Sequence, residues 1–529
     1  MDRMIEALLR REAYDHPVES IRLLETHISW ILLTGPFAYK LKKPVDLGFV
    51  DFSTPEKRRW FCQEELRLNR RLAPGLYVDL REVRGPRERA AFHGDGPVIE
   101  VAVRMRQFRQ EDLLRRAFEA GRIAPRLIDQ LADTLVSFHA AAAVAPAAGP
   151  LGSPEAVRAP ALANLEVLAA EGPAGPVLAA LDGWTRAEAE RQGPFFAARQ
   201  AAGAIRECHG DLHLGNMVLH QGRIEIFDCL EFNESLRWID PVSDMAFLVM
   251  DLDRSGEAGA AWRVLNRWLE GGGDYGGLRA WRWYRVYRAL VRAKVAALRL
   301  RQGDLPATEP ERLRGERQAY LDWAGQISRP GEGALVITRG VSGSGKSHLA
   351  AHLCELLGWI HLRSDVERHR LLGRWGPAGQ AGRARFEGDP YRSEVSEHLY
   401  AERLPACAEA TLEGGLSVLV DATFLELRHR RRMRRLAERR GAAFLLLDCR
   451  VSPDLARERI AGRRRRGSDP SEADADVLAM QLRLAEELDP DERDRCFTVE
   501  PGMVPEAPSG EGGDRFAVLA RRIRERLEE

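Results

Sequence analysis

Lysine is almost missing from this chain. Among 529 residues, with Lys+Arg and Asp+Glu both at 79, only six are lysine: Lys40, Lys42, Lys43, Lys57, Lys294 and Lys346. The remaining positive charge is arginine, as a GC-rich genome would produce. A lysine kept against such a bias marks a place that wants a compact ammonium rather than a planar guanidinium. Net charge is missing too: the formal value is zero, which removes any general pull toward nucleic acid or an anionic membrane. Cysteine spacing is missing. The seven cysteines, at 62, 208, 229, 354, 407, 449 and 496, form no CxxC and no regular pattern, so neither a disulfide framework nor a zinc site is indicated. No apolar run approaches the roughly 18 residues of a membrane span. The opening MDRMIEALLRREAYDH lacks the apolar core of a signal peptide. Together these absences lead us to expect a cytoplasmic protein with no membrane partner.

What is present needs more than one core. The length implies two or three domains, and the 45% apolar fraction is ordinary for a globular chain. Two stretches punctuate it. The Ala/Pro/Gly-rich segment 140–161 reads as an insertion or a hinge between helices, and SRPGEG (328–333) reads as the linker between domains. Before the linker, SWILLT (29–34), FAYKL (37–41), YVDLREV (77–83) and VIEVAVRM (98–105) read as strands, and 54–72 as a helix. Helical patterns dominate from 109 to 327. Strands followed by helices predict a two-lobed α+β domain over 1–327, with its small lobe at about 20–108. After the linker, the apolar runs 334–338, 417–421 and 443–448 alternate with helical patterns. That alternation predicts an α/β domain with a parallel sheet over 334–529.

The segment GVSGSGKS (340–347) fits G-x-x-x-x-G-K-[ST], follows a predicted strand and opens a helical pattern, which is the context of a P-loop. The glycines Gly340, Gly343 and Gly345, with Ser344, let backbone N–H groups face phosphate oxygens. Lys346 is placed to reach the β- and γ-phosphates of ATP, and Ser347 to ligate Mg²⁺. Asp365 follows an apolar stretch, and Asp421 ends a predicted strand, where ligands collect in open α/β sheets. One carboxylate would serve an acceptor hydroxyl and the other would hold Mg²⁺. The arginine-dense segment 457–474 reads as a lid over the transferring phosphoryl group, or else as a solvated helix face or a nucleic-acid patch.

The segment HGDLHLGN (209–216) carries a second phosphate design. It fits the H-x-D-x-x-x-x-N of a kinase catalytic loop, with Asp211 facing the acceptor, Asn216 reaching the metal and His209 bracing the loop. His213 reads as positional. Asp228, in IEIFDCLEF, stands where kinases keep a metal-binding aspartate. The pattern then asks for a lysine on an early strand and a glutamate on the next helix. Lys40 fits the ending of V-A-I-K. Strand alternation puts Lys42 on the same face, so periodicity does not separate them. Glu65 is taken over its neighbour Glu64 with nothing in the sequence to decide between them.

These residues carry two resemblances. HGDLHLGN, FDCLEF and DPVSDMAFL (240–248) resemble the aminoglycoside phosphotransferase family, which implies a protein-kinase-like fold and a structural brace at Asp244. GVSGSGKS, LRSD and VLVDATF resemble the small P-loop kinases related to gluconate kinase, zeta toxin and chloramphenicol phosphotransferase. That resemblance implies that Asp365 serves the acceptor hydroxyl and that Arg463 belongs to the lid. The whole chain resembles a bacterial family of bifunctional phosphotransferase and ATP-binding proteins with this domain order. One departure is plain: THISWILLTGPF stands where a GxGxxG loop would precede Lys40.

The expectation is a tandem, ATP- and Mg²⁺-dependent phosphotransferase acting on a hydroxyl of a small molecule. Two rivals stand beside it. The first half could be a pseudokinase sensor regulating the second, or the P-loop half could phosphorylate a polynucleotide 5′-hydroxyl. WRWYRVYRALVRAKVAALRLR (281–301) bears on the nucleic-acid reading, but is better explained as an amphipathic helix with its arginines outside. The arginine run 428–435 reads as a helix face that is either solvated or turned to an anionic substrate.

Overall fold

The computed structural model describes residues 2–528 except 47, 49, 171–174, 302–304, 330, 332, 378–383, 467–471 and 504–510. The chain packs as two compact units. One is formed by Met1–Thr134, Ala141–Val157 and Phe196–Leu248, the other by Leu135–Ala140, Arg158–Phe195 and Val249–Glu529. Residues 330 and 332 of the expected linker lie outside the described residues.

The first unit is built on an antiparallel sheet of β1 (Arg22–Glu25), β2 (Ser29–Leu33), β3 (Phe37–Lys42), β4 (Tyr77–Arg84) and β5 (Val98–Arg106), in the order β1-β2-β3-β5-β4. Four of these strands follow the predicted runs. β1 was not anticipated: it is a mostly exposed edge strand with no apolar alternation to read. A tight turn joins β2 to β3, where the Thr34 hydroxyl and N–H both donate to the Phe37 carbonyl. The helix Pro55–Asn69 starts on the Thr54 side-chain cap with proline in its first turn. Its buried positions Arg58, Cys62, Glu65 and Asn69 recur at helical spacing, so the face turned inward is largely polar. Such a face is stable only if every polar group finds a partner. Arg58 meets Glu100, and Asn69 accepts the Cys229 N–H.

The same unit holds two small ribbons, β6 (Arg206–Glu207) with β9 (Trp238–Ile239), and β7 (Met217–His220) with β8 (Arg223–Ile226). The 209–216 loop joins β6 to β7, and β8 leads into Asp228. The 140–161 stretch is not a hinge throughout. The Gln200 amide donates to the carbonyls of Gly149 and Leu151, and a helix, Pro154–Ala169, begins inside it.

The second unit holds a parallel sheet of β10 (Ala334–Arg339), β11 (Ile360–Arg363), β12 (Val418–Asp421), β13 (Ala443–Cys449) and β14 (Cys496–Val499), in the order β11-β12-β10-β13-β14. The three inner strands are buried on both faces, which is why they read as unbroken apolar runs. The helices Ala258–Gly272, Trp281–Leu300 and Glu309–Ser328 pack in this unit too. Two expectations hold only in part here. Arg285 and Arg288, expected outside on Trp281–Leu300, are buried; Arg285 lies over the Trp323 ring at 4.6 Å and 3.5 Å from Asp253. In the 428–435 run, Arg430 is also buried and forks onto Glu492 at 2.7 and 3.0 Å. No described helix is long and apolar enough to cross a membrane.

Candidate functional site

In the first unit, β3 projects Lys40 and Lys42 from one face, and the helix Pro55–Asn69 brings Glu65 between them. Lys40 Nζ is 2.8 Å from Glu65 Oε1 and 2.6 Å from Asp228 Oδ1. Lys42 Nζ is 2.8 Å from Glu65 Oε2 and also meets Glu231. Each oxygen of Glu65 thus takes one ammonium. Glu64 instead turns to Arg67, 2.7 Å away. The geometry therefore separates two pairs of residues that the sequence left together. The Lys42 side chain is 0% exposed and that of Lys40 13%, so Lys40 is the one at the open edge, beside a half-exposed Asp228.

The charges tune one another. Burial alone would lower the Lys40 pKa, but Asp228 and Glu65 override it and hold the ammonium well above its ordinary value. Burial likewise opposes ionisation of Glu65, yet Lys40 and Lys42 bring its pKa from 4.5 down to about 2. Burial raises the carboxyl of Glu231, which has only one of the lysines as a direct partner. Glu231 is the site residue that sequence reasoning missed, and Lys42, which periodicity could not separate from Lys40, takes the inner place beside it. Glu231 did carry a signal, three positions after Asp228 in FDCLEF.

The loop 209–216 is held from behind. Asp244, fully buried, accepts the N–H groups of His209 at 2.8 Å and Gly210 at 3.0 Å. His209 accepts the Asp211 N–H at Nδ1, and its Nε2 lies 3.0 Å from the Phe227 carbonyl. One nitrogen must therefore accept and the other donate, which fits a neutral ring, and burial lowers its pKa in the same sense. Gly210 has φ +86°, and a Cβ there would fall 2.7 Å from the Leu236 carbonyl oxygen. Asn216 spends its amide N–H groups on the Asp211 carbonyl and on Asp211 Oδ2, at 3.0 and 2.9 Å, which leaves its amide oxygen as the atom available to a cation. His213 Nδ1 accepts the Gly215 N–H, with Nε2 3.3 Å from Asp211 Oδ2. Asp228 is held at φ +63°, a conformation costly for a residue with a side chain. Asn216 and Asp228 offer hard oxygen donors of the kind that suit Mg²⁺.

In the second unit, the C-terminal ends of the strands face a cavity of about 980 Å³. Gly343, Gly345, Lys346 and Ser347 line it, and so do Asp365, Asp421 and Arg463. Gly340 and Ser344 shape the loop from within. A Cβ on Gly340 would meet the Cys449 carbonyl oxygen at 2.5 Å, and one on Gly343 the Ala456 carbonyl oxygen at 2.6 Å. Lys346 Nζ donates to the Val341 carbonyl at 2.8 Å, and burial lowers its pKa. Burial would raise the pKa of Asp421, but His361, 3.4 Å away, overrides it and brings it to about 2. Ser347 and Asp421 are again oxygen donors that suit Mg²⁺. Arg463 lies on the helix Pro453–Arg466 and donates to the Ala473 carbonyl. The expected lid continues into 467–471, which lie outside the described residues.

Three further residues of this site escaped the sequence. Gln481 accepts the Ser342 N–H of the loop at 2.7 Å. His361 touches Asp421. Arg368 lines the cavity at 6% exposure and donates to the Pro390 carbonyl and Ser396, while its Nε finds no partner. Its spacing of three from Asp365 was the available signal.

Comparison with known proteins adds the lineage. The phosphotransferase enzyme family matches residues 53–287, and an AAA domain family matches 335–488. An uncharacterized protein of Mycobacterium tuberculosis is 30% identical over 470 residues, spanning 88% of this chain and 91% of its own length. Among solved structures, a choline/ethanolamine kinase family protein from Mesorhizobium loti aligns with 62% of this chain and 98% of its own, at 14% identity and a TM-score of 0.35. A gluconokinase from Sinorhizobium meliloti aligns with 38% of this chain and 98% of its own, at 22% identity and a TM-score of 0.23.

Proposed function

The chain belongs to a family that joins an aminoglycoside-phosphotransferase-like domain to a P-loop kinase domain, and on that premise we propose that it is a kinase with two sites, each using ATP to phosphorylate a small-molecule hydroxyl. The observation that carries this reading is the 980 Å³ cavity, which sets the phosphate loop and Lys346 among Asp365, Asp421 and Arg368. At this site Lys346 binds phosphate, Asp365 takes or orients the acceptor hydroxyl proton, and Arg463 meets charge on the transferring group. At the other site Lys40, fixed by Glu65, binds phosphate, and Asp211, fixed by Asn216, receives the acceptor. Ser347 with Asp421, and Asn216 with Asp228, are the groups that would hold Mg²⁺. The ion, when bound, neutralises phosphate charge.

Arg368 refines the acceptor of the P-loop site. A buried guanidinium with an unused donor and no carboxylate in ion-pair range among the described residues wants an anionic partner. We take the acceptor to carry a carboxylate or phosphate beside its hydroxyl.

The test is transfer of label from γ-labelled ATP into a fractionated small-molecule extract, with wild type, Asp211→Asn and Lys346→Ala in parallel. A labelled anionic product that vanishes with Lys346→Ala supports the assignment. ATP binding with no labelled product from wild type would end it. A second reading, that the first site binds nucleotide and regulates without turnover, has one observation in its favour. The β1–β2 turn, where a glycine-rich phosphate cover would lie, is Thr26-His27-Ile28 and holds no glycine. Product formation that survives Asp211→Asn but responds to nucleotide at the first site would favour it.

A further inference from the structure

The outer edge of the P-loop sheet is β11, hydrogen-bonded to β12 on one side only. Its other side is filled by side chains from 258–275, inside the stretch matched by the phosphotransferase family. The Asn266 amide acts as a substitute peptide group: its Oδ1 accepts the His361 N–H at 2.8 Å, and its Nδ2 donates to the Trp359 carbonyl at 2.9 Å. Tyr275 Oη reaches the His361 carbonyl at 3.4 Å. At the end of β11, Arg363, which lines the cavity, pairs with Glu270 at 3.0 Å.

The next helix, Ser364–Leu371, carries Asp365 and is tied to the same place. Arg370 donates to the carbonyls of Glu270 and Gly271. Trp375 Nε1 donates to the Glu270 carbonyl at 2.9 Å, and Arg403 donates to the Gly273 carbonyl at 3.1 Å. Arg370 and Arg403 are themselves locked by Glu367, at 3.1 and 2.7 Å, a carboxylate with no solvent exposure. The last carbonyls of Ala258–Gly272 have no partner within their own helix and sit at its negative pole, so cationic donors are the natural cap. The fit is close: a Cβ on Gly273 would fall 2.5 Å from the Arg370 guanidinium.

We propose that Glu270 and Asn266 are positioning residues of the P-loop site, fixing β11 and the Asp365 helix from a segment that belongs by sequence to the phosphotransferase half. Neither residue lines the cavity: Glu270 acts through Arg363, which does, and Asn266 acts through β11 and His361, which touches the cavity residue Asp421. The inference rests on the P-loop site being a working phosphotransferase site, and its test separates the two ideas.

Glu270→Gln keeps the shape of the side chain and removes the charge that holds Arg363. In the full-length protein we would measure Lys346-dependent release of phosphate from ATP with Mg²⁺, water serving as acceptor, and amide hydrogen exchange over 360–371. The expected result is a kcat about tenfold lower with KM for ATP little changed, since misplacement of positioned groups acts on the reacting geometry. Exchange over 360–371 should be faster, that of 55–69 unchanged, and Glu270→Asp should recover part of kcat. A merely structural role would lower thermal stability without splitting kcat from KM. Unchanged turnover in Glu270→Gln, or loss tracking ATP affinity, would overturn the proposal. If wild type shows no Lys346-dependent turnover with water, the kinase reading of this site is decided by label transfer to an acceptor, and the brace is judged by exchange: unchanged exchange in both Glu270→Gln and Asn266→Ala refutes it.

Discussion

Lys42 is the residue on which the first site's electrostatics turn. It is fully buried between two carboxylates, and removing one partner of such a set leaves uncompensated charge in a low-dielectric interior. Lys42→Met should cost about 3–5 kcal/mol in urea unfolding followed by tryptophan fluorescence. Glu231→Gln should cost much less, because burial already favours the uncharged form of that carboxyl. Acid should find the same network. The pKa of Glu65 falls from 4.5 to about 2 on folding, so its stabilising contribution is complete above pH 4.5 and drains away as the pH falls toward 2. The acid-unfolding curve of Glu65→Gln should be flatter over that interval; equal slopes would show that the carboxylate is not held by its lysines.

Among the elements, the phosphate loop and the helix Trp281–Leu300 make opposite predictions. Gly343 sits at φ +84°, with the Ala456 carbonyl where a Cβ would go, so Gly343→Ala should abolish nucleotide binding at the P-loop by calorimetry. Arg285 is buried, and burial lowers its pKa from 12.5 to about 10, with Asp253 only partly compensating. Arg285→Met should therefore leave Tm unchanged or raise it, since an apolar side chain of similar volume replaces a poorly compensated buried cation. The sequence made the long elements legible because burial on both faces wrote β10, β12 and β13 as apolar runs, and a Thr cap followed by proline marked the helix Pro55–Asn69. It could not reveal β11 or β14, four-residue edge strands whose IHLR and CFTV are too short and mixed to show a period. It could not show the Lys42–Glu231 pair either, because the two residues are 189 positions apart and no local rule links them. Arg285 and Arg430 misled for the opposite reason: a charged residue on an amphipathic pattern is assigned outward, and only tertiary partners reverse that.

At the scale of the whole molecule, the second unit begins well before the P-loop. A fragment starting at 334 would lose Asn266, Tyr275 and Glu270 and leave β11 with a bare edge, a known route to aggregation. It should give a lower soluble yield and stronger light scattering than a fragment starting at 249. Equal behaviour would show that the helices of 258–328 are dispensable to the sheet. The scarcity of lysine across the molecule has a practical consequence as well. Acidic partners keep the Lys40 and Lys42 amines protonated and poorly nucleophilic, whereas burial shifts the Lys346 amine the other way. An acyl-phosphate analogue of ATP, which needs an uncharged amine to acylate, should thus behave as a site-selective label. It should leave its tag on the peptide containing Lys346 and spare the one containing Lys40 and Lys42, so that mass spectrometry of a single digest reports occupancy of the P-loop alone.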